Sequence, residues 1–213
     1  MSKIKRILGV TLSILLILSS VPVVAFADDT YTSEDGYLTY TVTNGEATIT
    51  DCDTSISGDY TIPDTLGGYP VTSIDEYAFS YCESLTSITI PDSVTTIGYR
   101  AFKNCTSLKI AIIGNGVTSI GSDAFYGCTS LTSITIGTSV TSIGNSAFNE
   151  CTALTNVIIG ESVTLIGNYA FCNCTSLKSV TISDSVTTIN EGAFSGCISL
   201  ENISIGSSVT TMG

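Results

Sequence analysis

The chain of 213 residues contains no histidine and only seven lysines and arginines. Without histidine, serine and cysteine nucleophiles lack their usual base. With no Cys-x-x-Cys pair either, the common zinc ligand sets are missing. Scarce basic residues set against nineteen acidic ones give a net charge of −12, which repels nucleic acid and anionic membranes because both are bound through clustered Lys and Arg. Long apolar runs are absent as well. The longest, Ile7 to Leu18, falls short of the roughly 18 residues a membrane span needs, carries Thr11 and Ser13, and is followed by Ser19, Ser20 and Pro22. Lys3, Lys5 and Arg6 before it and Ala25-Phe26-Ala27 after it read as a secretory signal peptide over residues 1–27. No cysteine follows Ala27, against a lipoprotein anchor. Cleavage leaves four basic against nineteen acidic residues, a charge of −15. Such acidity suits the solubility of a secreted protein, with no nucleic-acid partner and no stable membrane insertion.

What the chain does have is a strict period. Ala-Phe pairs stand at Ala78-Phe79, Ala101-Phe102, Ala124-Phe125, Ala147-Phe148, Ala170-Phe171 and Ala193-Phe194, each 23 residues after the last, and a cysteine lies three positions beyond every phenylalanine. Val71, Val94 and Val117 open a valine column at the same interval, and Leu85, Leu108 and Leu131 a leucine column. A period in this range marks a solenoid, because one block is too short to bury its own apolar face and must stack on its neighbours. Val-Thr-x-Ile and Leu-x-x-Ile-x-Ile read as short strands, and the Ala-Phe segment between them as one turn of helix. Residues 28–68 differ: Leu38, Tyr40 and Val42 alternate with threonines before Asn44-Gly45, which predicts a β-hairpin serving as the N-terminal cap, followed by an irregular first coil with an insertion at Leu66 to Pro70. The solenoid proper is expected over 69–213 as about six coils. Gly98, Gly121, Gly144, Gly167 and Gly213 share a column with Asn190, which suggests a positive φ there. No Ala-Phe pair or polar cap follows Gly213, so an uncapped end is expected, in a fragment, a truncated product or part of a longer surface protein.

The run Ile90 to Ile97 followed by Ala101-Phe102, Cys105, Ser107 and Leu108 resembles the BspA-type leucine-rich repeat, also described from treponemal surface proteins. The resemblance covers about residues 69–213. It implies an α/β solenoid, a right-handed superhelix of 23-residue coils with parallel strands and short helical turns. It further implies a secreted or cell-surface protein of host-associated bacteria that acts in adhesion and protein binding, with no catalytic residue to carry over. Ala111, where the pattern expects isoleucine, and the additional Cys172 depart from it. In leucine-rich repeats the position of Cys82, Cys105, Cys128, Cys151, Cys174 and Cys197 turns inward, so these are read as buried free thiols rather than stacked disulfides.

Other constellations carry little chemistry. Asp75-Glu76, Asp92, Asp123, Glu161 and Asp184 fall in turns and are read as solvated surface rather than a glycosidase pair. Asp51, Asp53 and Asp59 lack the glycine and closing glutamate of a calcium loop. Arg100, Lys103, Lys109 and Lys178 form no patch along the sequence. No metal or cofactor is expected. What remains is the outward side of the Leu-x-x-Ile-x-Ile strand: Ser87 and Thr89, Ile110 and Ile112, Ser133 and Thr135, Asn156 and Ile158, Ser179 and Thr181, Asn202 and Ser204. The three isoleucines are out of place on an inert face and mark where a protein or glycan ligand, such as host extracellular matrix or another cell surface, is expected to bind. The expected function is therefore a non-catalytic binding or adhesion module. A structural spacer of a wall-anchored protein is the first alternative, and a polysaccharide-active β-helix enzyme the less favoured one.

Overall fold

The computed structural model describes residues 29–213, so the expected signal segment, residues 1–27, lies outside the described residues. Alternating Thr with Val, Ile and Tyr gives strands throughout. The first six are β1 (Thr30–Thr32), β2 (Leu38–Thr43), β3 (Glu46–Cys52), β4 (Gly58–Thr61), β5 (Thr65–Leu66) and β6 (Tyr69–Ile74). Asn44 (φ 54°) and Gly45 (φ 83°) turn β2 onto β3, and both angles fit the two-residue hairpin turn that Asn-Gly favours. The insertion at Leu66 to Pro70 folds as a second small hairpin, β5 against the start of β6, around Gly67-Gly68.

From here each coil contributes two strands. One set is β8 (Thr96–Ile97), β10 (Ser119–Ile120), β12 (Ser142–Ile143), β14 (Leu165–Ile166), β16 (Thr188–Ile189) and β18 (Thr211–Met212). The other is β7 (Leu85–Ile90), β9 (Ile110–Ile113), β11 (Ser133–Thr135), β13 (Asn156–Ile159), β15 (Ser179–Ile182) and β17 (Asn202–Ser204). The short strands continue one long sheet in the order β1-β2-β3-β6-β8-β10-β12-β14-β16-β18, parallel from β3 onward. The longer strands form an outer sheet in two pieces, β4-β7-β9-β11 and β13-β15-β17. The result is a β-solenoid of about seven turns of roughly 23 residues.

The helical turn expected at Ala-Phe is not formed, and no helix occurs among the described residues. The backbone instead alternates. Tyr77, Phe79 and Tyr81 donate their N–H groups to the carbonyls of Tyr99, Ala101 and Lys103 in the next coil (2.9, 2.7 and 2.8 Å), while Ser80 and Cys82 bond three residues back in their own coil. A helix would have consumed all these donors within one coil. Reaching the neighbour requires left-handed residues, and the columns of Tyr77 (φ 61°) and Tyr81 (φ 63°) supply them in every coil, ending at Gly192 and Gly196. The positive φ expected at the Gly98 column is therefore also wrong. Those glycines have ordinary backbone angles, but a Cβ on Gly121 would stand 2.6 Å from the Gly98 carbonyl oxygen one coil earlier. Close approach of coils, rather than turn conformation, selects glycine there.

Stacking sets like on like in the core. The phenylalanine rings from Phe79 to Phe194 pile up with centroids 4.9 to 5.4 Å apart and planes within 18° of parallel. Burial of each contributes about 1.5–3 kcal/mol. Among the described residues no charged or polar side chain is buried with them. The cysteine column lies beside the rings as free thiols, of which Cys197 alone is part-exposed. From Cys105 onward each donates its S–H to the carbonyl of a phenylalanine in the preceding coil, Cys105 to Phe79 and Cys128 to Phe102 at 3.1 Å. Cys151, Cys174 and Cys197 repeat the bond at 3.1 to 3.3 Å. A protonated thiol thus gives a second donor to a buried carbonyl that already accepts the N–H of the cysteine three residues on in its own coil. Burial pushes the Cys128 and Cys151 thiols up from their ordinary range.

One junction differs. Between the coils of β11 and β13 the long sheet and the Ala-Phe ladder run through, with Phe125 N–H on Ala147 at 2.7 Å, but the outer sheet stops. The bond that Lys109 N–H makes to Thr86, and Lys178 N–H to Thr155 (both 2.8 Å), is not made by Thr155 across this seam. Ile134 and Ile136 are only partly buried beside it.

Two outcomes follow from this packing. In Gly137→Ala the new methyl overlaps the Gly114 carbonyl oxygen, whereas Gly160, the next glycine of the same column, has nothing within 4 Å because it stands at the seam. Urea unfolding should show a loss of about 1–3 kcal/mol for the first and a change between zero and about 1 kcal/mol of gain for the second; equal losses would mean the seam is closed. The raised thiols set a pH limit as well. Their stabilisation is complete below about pH 8.5, where unfolded thiols are still protonated, and is lost as pH rises above it. At about pH 10 Cys151 should have withdrawn about 2 kcal/mol, with a further loss in the same direction from Cys128, and a Cys128→Ala, Cys151→Ala variant should show a correspondingly shallower fall in urea midpoint between pH 7 and 10.

Candidate functional site

The outer sheet carries the outward residues in two columns that run along the solenoid axis. Parallel register sets Ser87 beside Ile110 and Ile110 beside Ser133, and likewise Thr89, Ile112 and Thr135. Beyond the seam, Asn156, Ser179 and Asn202 form the first column, and Ile158, Thr181 and Ser204 the second. The face is therefore assembled in two halves. Ser179 Oγ donates to Asn156 Oδ1 at 2.6 Å, tying the first column within its half. Ile110 and Ile112 are 43% and 41% exposed and Ile158 is 73% exposed, so all three stand on the surface while their neighbours Ala111, Ile113, Val157 and Ile159 fill the core. The inward–outward alternation of β9 and β13 leaves no other place for them.

The second column borders a trough. Where the outer strands end and the chain turns, three adjoining hollows of about 450, 400 and 650 Å³ follow one another along the axis. Thr135 is shared by the first two, Ile158 and Gly160 by the last two. The turn residues make the far wall, and four of them, Asp64, Asp92, Glu161 and Asp184, are exposed carboxylates. Asp92 accepts the Asn115 N–H at 2.6 Å, and Asp184 accepts the Ser207 N–H at 2.7 Å and its hydroxyl at 3.1 Å. The bonds from Ser207, the backbone N–H first, hold the Asp184 carboxyl below its ordinary range, so it is ionised at neutral pH. At the seam this ladder is interrupted too: Asn115 accepts from Thr138, but among the described residues no side-chain bond joins Thr138 to Glu161.

The cations are placed elsewhere. Arg100 is gathered into the Ala-Phe ladder, with Nε 3.1 Å from Asp123 Oδ2, Nη1 donating to Tyr77 Oη at 3.1 Å, and the guanidinium 4.5 Å from the Tyr99 ring centroid. Lys103 Nζ lies 5.3 Å from the Tyr126 ring, whose hydroxyl donates to Glu150 at 2.8 Å. Read along the chain these residues form no patch; at the 23-residue interval Tyr77, Arg100 and Asp123 are consecutive in one column, which is the signal that would have found them. The acidic wall escaped in the same way. Asp92, Glu161 and Asp184 each look like an isolated solvated turn residue until the coils are stacked.

Among the described residues no group of three or more His, Cys, Asp or Glu side chains is placed to hold a metal ion, and no helix is long and apolar enough to cross a membrane.

A sequence profile described as the BspA type Leucine rich repeat region matches residues 60–174 and 103–213, in six copies. No curated protein matches the chain. Among solved structures, a leucine-rich repeat protein of T. pallidum is similar at 31% identity and a TM-score of 0.76, over 81% of each chain. A leucine-rich repeat protein from Bacteroides ovatus is similar at 31% identity and a TM-score of 0.66, and a leucine rich cell surface protein from Faecalibacterium prausnitzii at 28% and 0.58. The alignments cover 81% and 85% of this chain but 53% and 39% of those two proteins. With the profile spanning residues 60 to 213 and the stacked Val, Ile, Ala-Phe, Cys and Leu columns behind it, the chain belongs to the BspA-type leucine-rich repeat family.

Proposed function

We propose that this protein is a secreted or surface-exposed, non-catalytic binding module that recognises a protein or glycan ligand through the outer sheet. The observation that carries the reading is the placing of Ile110, Ile112 and Ile158 on an otherwise hydroxyl-rich face, with Ile158 73% exposed. An isoleucine left in water forgoes most of the roughly 1.5–3 kcal/mol that its burial would return, so a partner that covers it gains what folding leaves unused. Clustered on one face, such residues mark an interaction surface. Membership of a repeat family commonly associated with surface binding agrees with this, as does the description of the F. prausnitzii relative as a cell surface protein. The absence of histidine from the sequence removes the commonest acid–base group from any catalytic alternative.

The test is a capture screen against arrayed extracellular-matrix proteins and glycans. A ligand captured by the unaltered protein should be lost, at least tenfold in affinity, by Ile112→Asp with Ile158→Asp, while the melting curve stays in place. Capture that survives both substitutions would move the binding site away from this face.

A further inference from the structure

The trough beside the second column says more about its occupant than the isoleucines alone. Resting on the reading of the outer sheet as the binding face, we propose that it takes an extended, cationic polypeptide segment laid along the solenoid axis. Its floor offers one short side chain per coil, Thr89, Ile112, Thr135, Ile158, Thr181 and Ser204, at the strand spacing of about 4.8 Å within each half of the sheet. Such a floor is long, narrow and shallow. It fits a linear chain better than a folded domain, and β-branched or apolar side chains can lie over Ile112 and Ile158.

Charge selects the chain. The wall carries Asp64 and Asp92 near one end and Glu161 and Asp184 near the other, and among the described residues no lysine or arginine lines any of the three hollows. Asp92 and Asp184 each have one oxygen engaged in the turn ladder, which fixes the carboxylate in place and, among the described residues, leaves the second oxygen without a hydrogen bond. An anionic segment meets repulsion along this wall, and so does a second copy of a chain whose net charge is −12. A cationic segment is steered in and held.

The repeat also sets a length. From the coil of Asp64 to that of Ser207 are six steps, about 29 Å, which about nine extended residues would span. Asp92 and Glu161 are three steps apart with the seam between them, at least about 14 Å, so two lysines or arginines some four residues apart, with their long side chains, can meet both ends of the wall. Between them the seam leaves Ile134 and Ile136 partly open to the apolar side chains of the segment.

The experiment uses fluorescence polarisation with the whole chain and labelled decapeptides of alternating valine and threonine that carry two lysines four residues apart, two glutamates in the same places, or neither. The lysine peptide should bind at least tenfold more tightly than the glutamate peptide. Its affinity should fall steeply as ionic strength rises from about 0.01 to 1 M. Asp92→Asn, Glu161→Gln and Asp184→Asn combined should cost about tenfold. The amide oxygens of the two asparagines still accept the turn N–H groups, so an unchanged melting curve is expected. A pentapeptide carrying its two lysines side by side, which cannot meet both ends of the wall at once, should bind more weakly. No binding of the lysine peptide, binding indifferent to salt or to the triple substitution, or occupation of the trough by a neutral glycan instead would each overturn the proposal. If Ile112→Asp with Ile158→Asp still abolishes capture of a ligand from the screen, the binding face stands and the cationic occupant alone falls; if neither set of substitutions matters, both readings fall.

Discussion

Three ladders of backbone hydrogen bonds run down this solenoid, and all three require that every coil have the same length. A parallel neighbour can pair only if its carbonyls arrive opposite the waiting N–H groups, coil after coil, at about 4.8 Å. The constant 23-residue spacing from Phe79 to Phe194 is the sequence record of that demand. Everything else is arranged around it. Glycine occupies the Gly98 column because coils brought this close leave no room for a Cβ, and left-handed residues occupy the Tyr77 and Tyr81 columns because only then do alternate N–H groups point to the next coil. Thr95, Thr118, Thr141 and their successors donate their hydroxyls to the carbonyl of the threonine one coil earlier, at 3.0 to 3.2 Å, so even the polar surface is drawn into the axial repeat.

The same constraint decides what the core can contain. A column places each side chain against its own kind, which favours groups that tolerate self-contact. Phenylalanine does so by near-parallel offset stacking, and leucine, valine and isoleucine by dispersion. A buried charge repeated at this interval would meet its like at each step, and none is found in the core. Cysteine is the one hydrogen-bonding side chain the repeated core columns accept. Its thiol is small, neutral while buried, and able to donate to a carbonyl that the alternating turn leaves pointing inward.

How much of this could be read from the sequence depends on whether a feature belongs to one coil or to the stack. The valine, leucine and Ala-Phe columns repeat identically, so their inward direction was legible, as were the Asn44-Gly45 turn and the outward alternation of Ile110, Ile112 and Ile158. The turn around Ala-Phe was not. Its composition suits a helix, but the donors of Tyr77, Phe79 and Tyr81 find better-placed acceptors in the next coil, and propensity within one block is silent about that. The Gly98 column was assigned the right residue for the wrong cause, since close approach and positive φ both select glycine. The seam was invisible for the opposite reason: Ser133 to Gly137 repeats the family pattern as faithfully as Ser87 to Pro91, and only in three dimensions does the outer sheet stop there. The trough's acidic wall needed the stack as well, for it joins residues from 23 to 120 positions apart.

The seam ties the architecture to the face. In a repeat protein stability is close to a sum of neighbour contacts, so a junction with two ladders intact and one missing is held more weakly on its outer side than on the others. The unbroken long sheet and the Ala-Phe bond from Phe125 to Ala147 keep the two halves joined, and the outer sheet is the side on which they can part. That is also the side that carries Ile112, Ile134, Ile136 and Ile158. A ligand lying across the junction touches both halves, and each apolar contact it makes there substitutes for sheet bonds the protein does not make itself. On the proposed reading, binding and stiffening of the solenoid are one event, because the open outer junction coincides with exposed and half-buried apolar side chains of the same face.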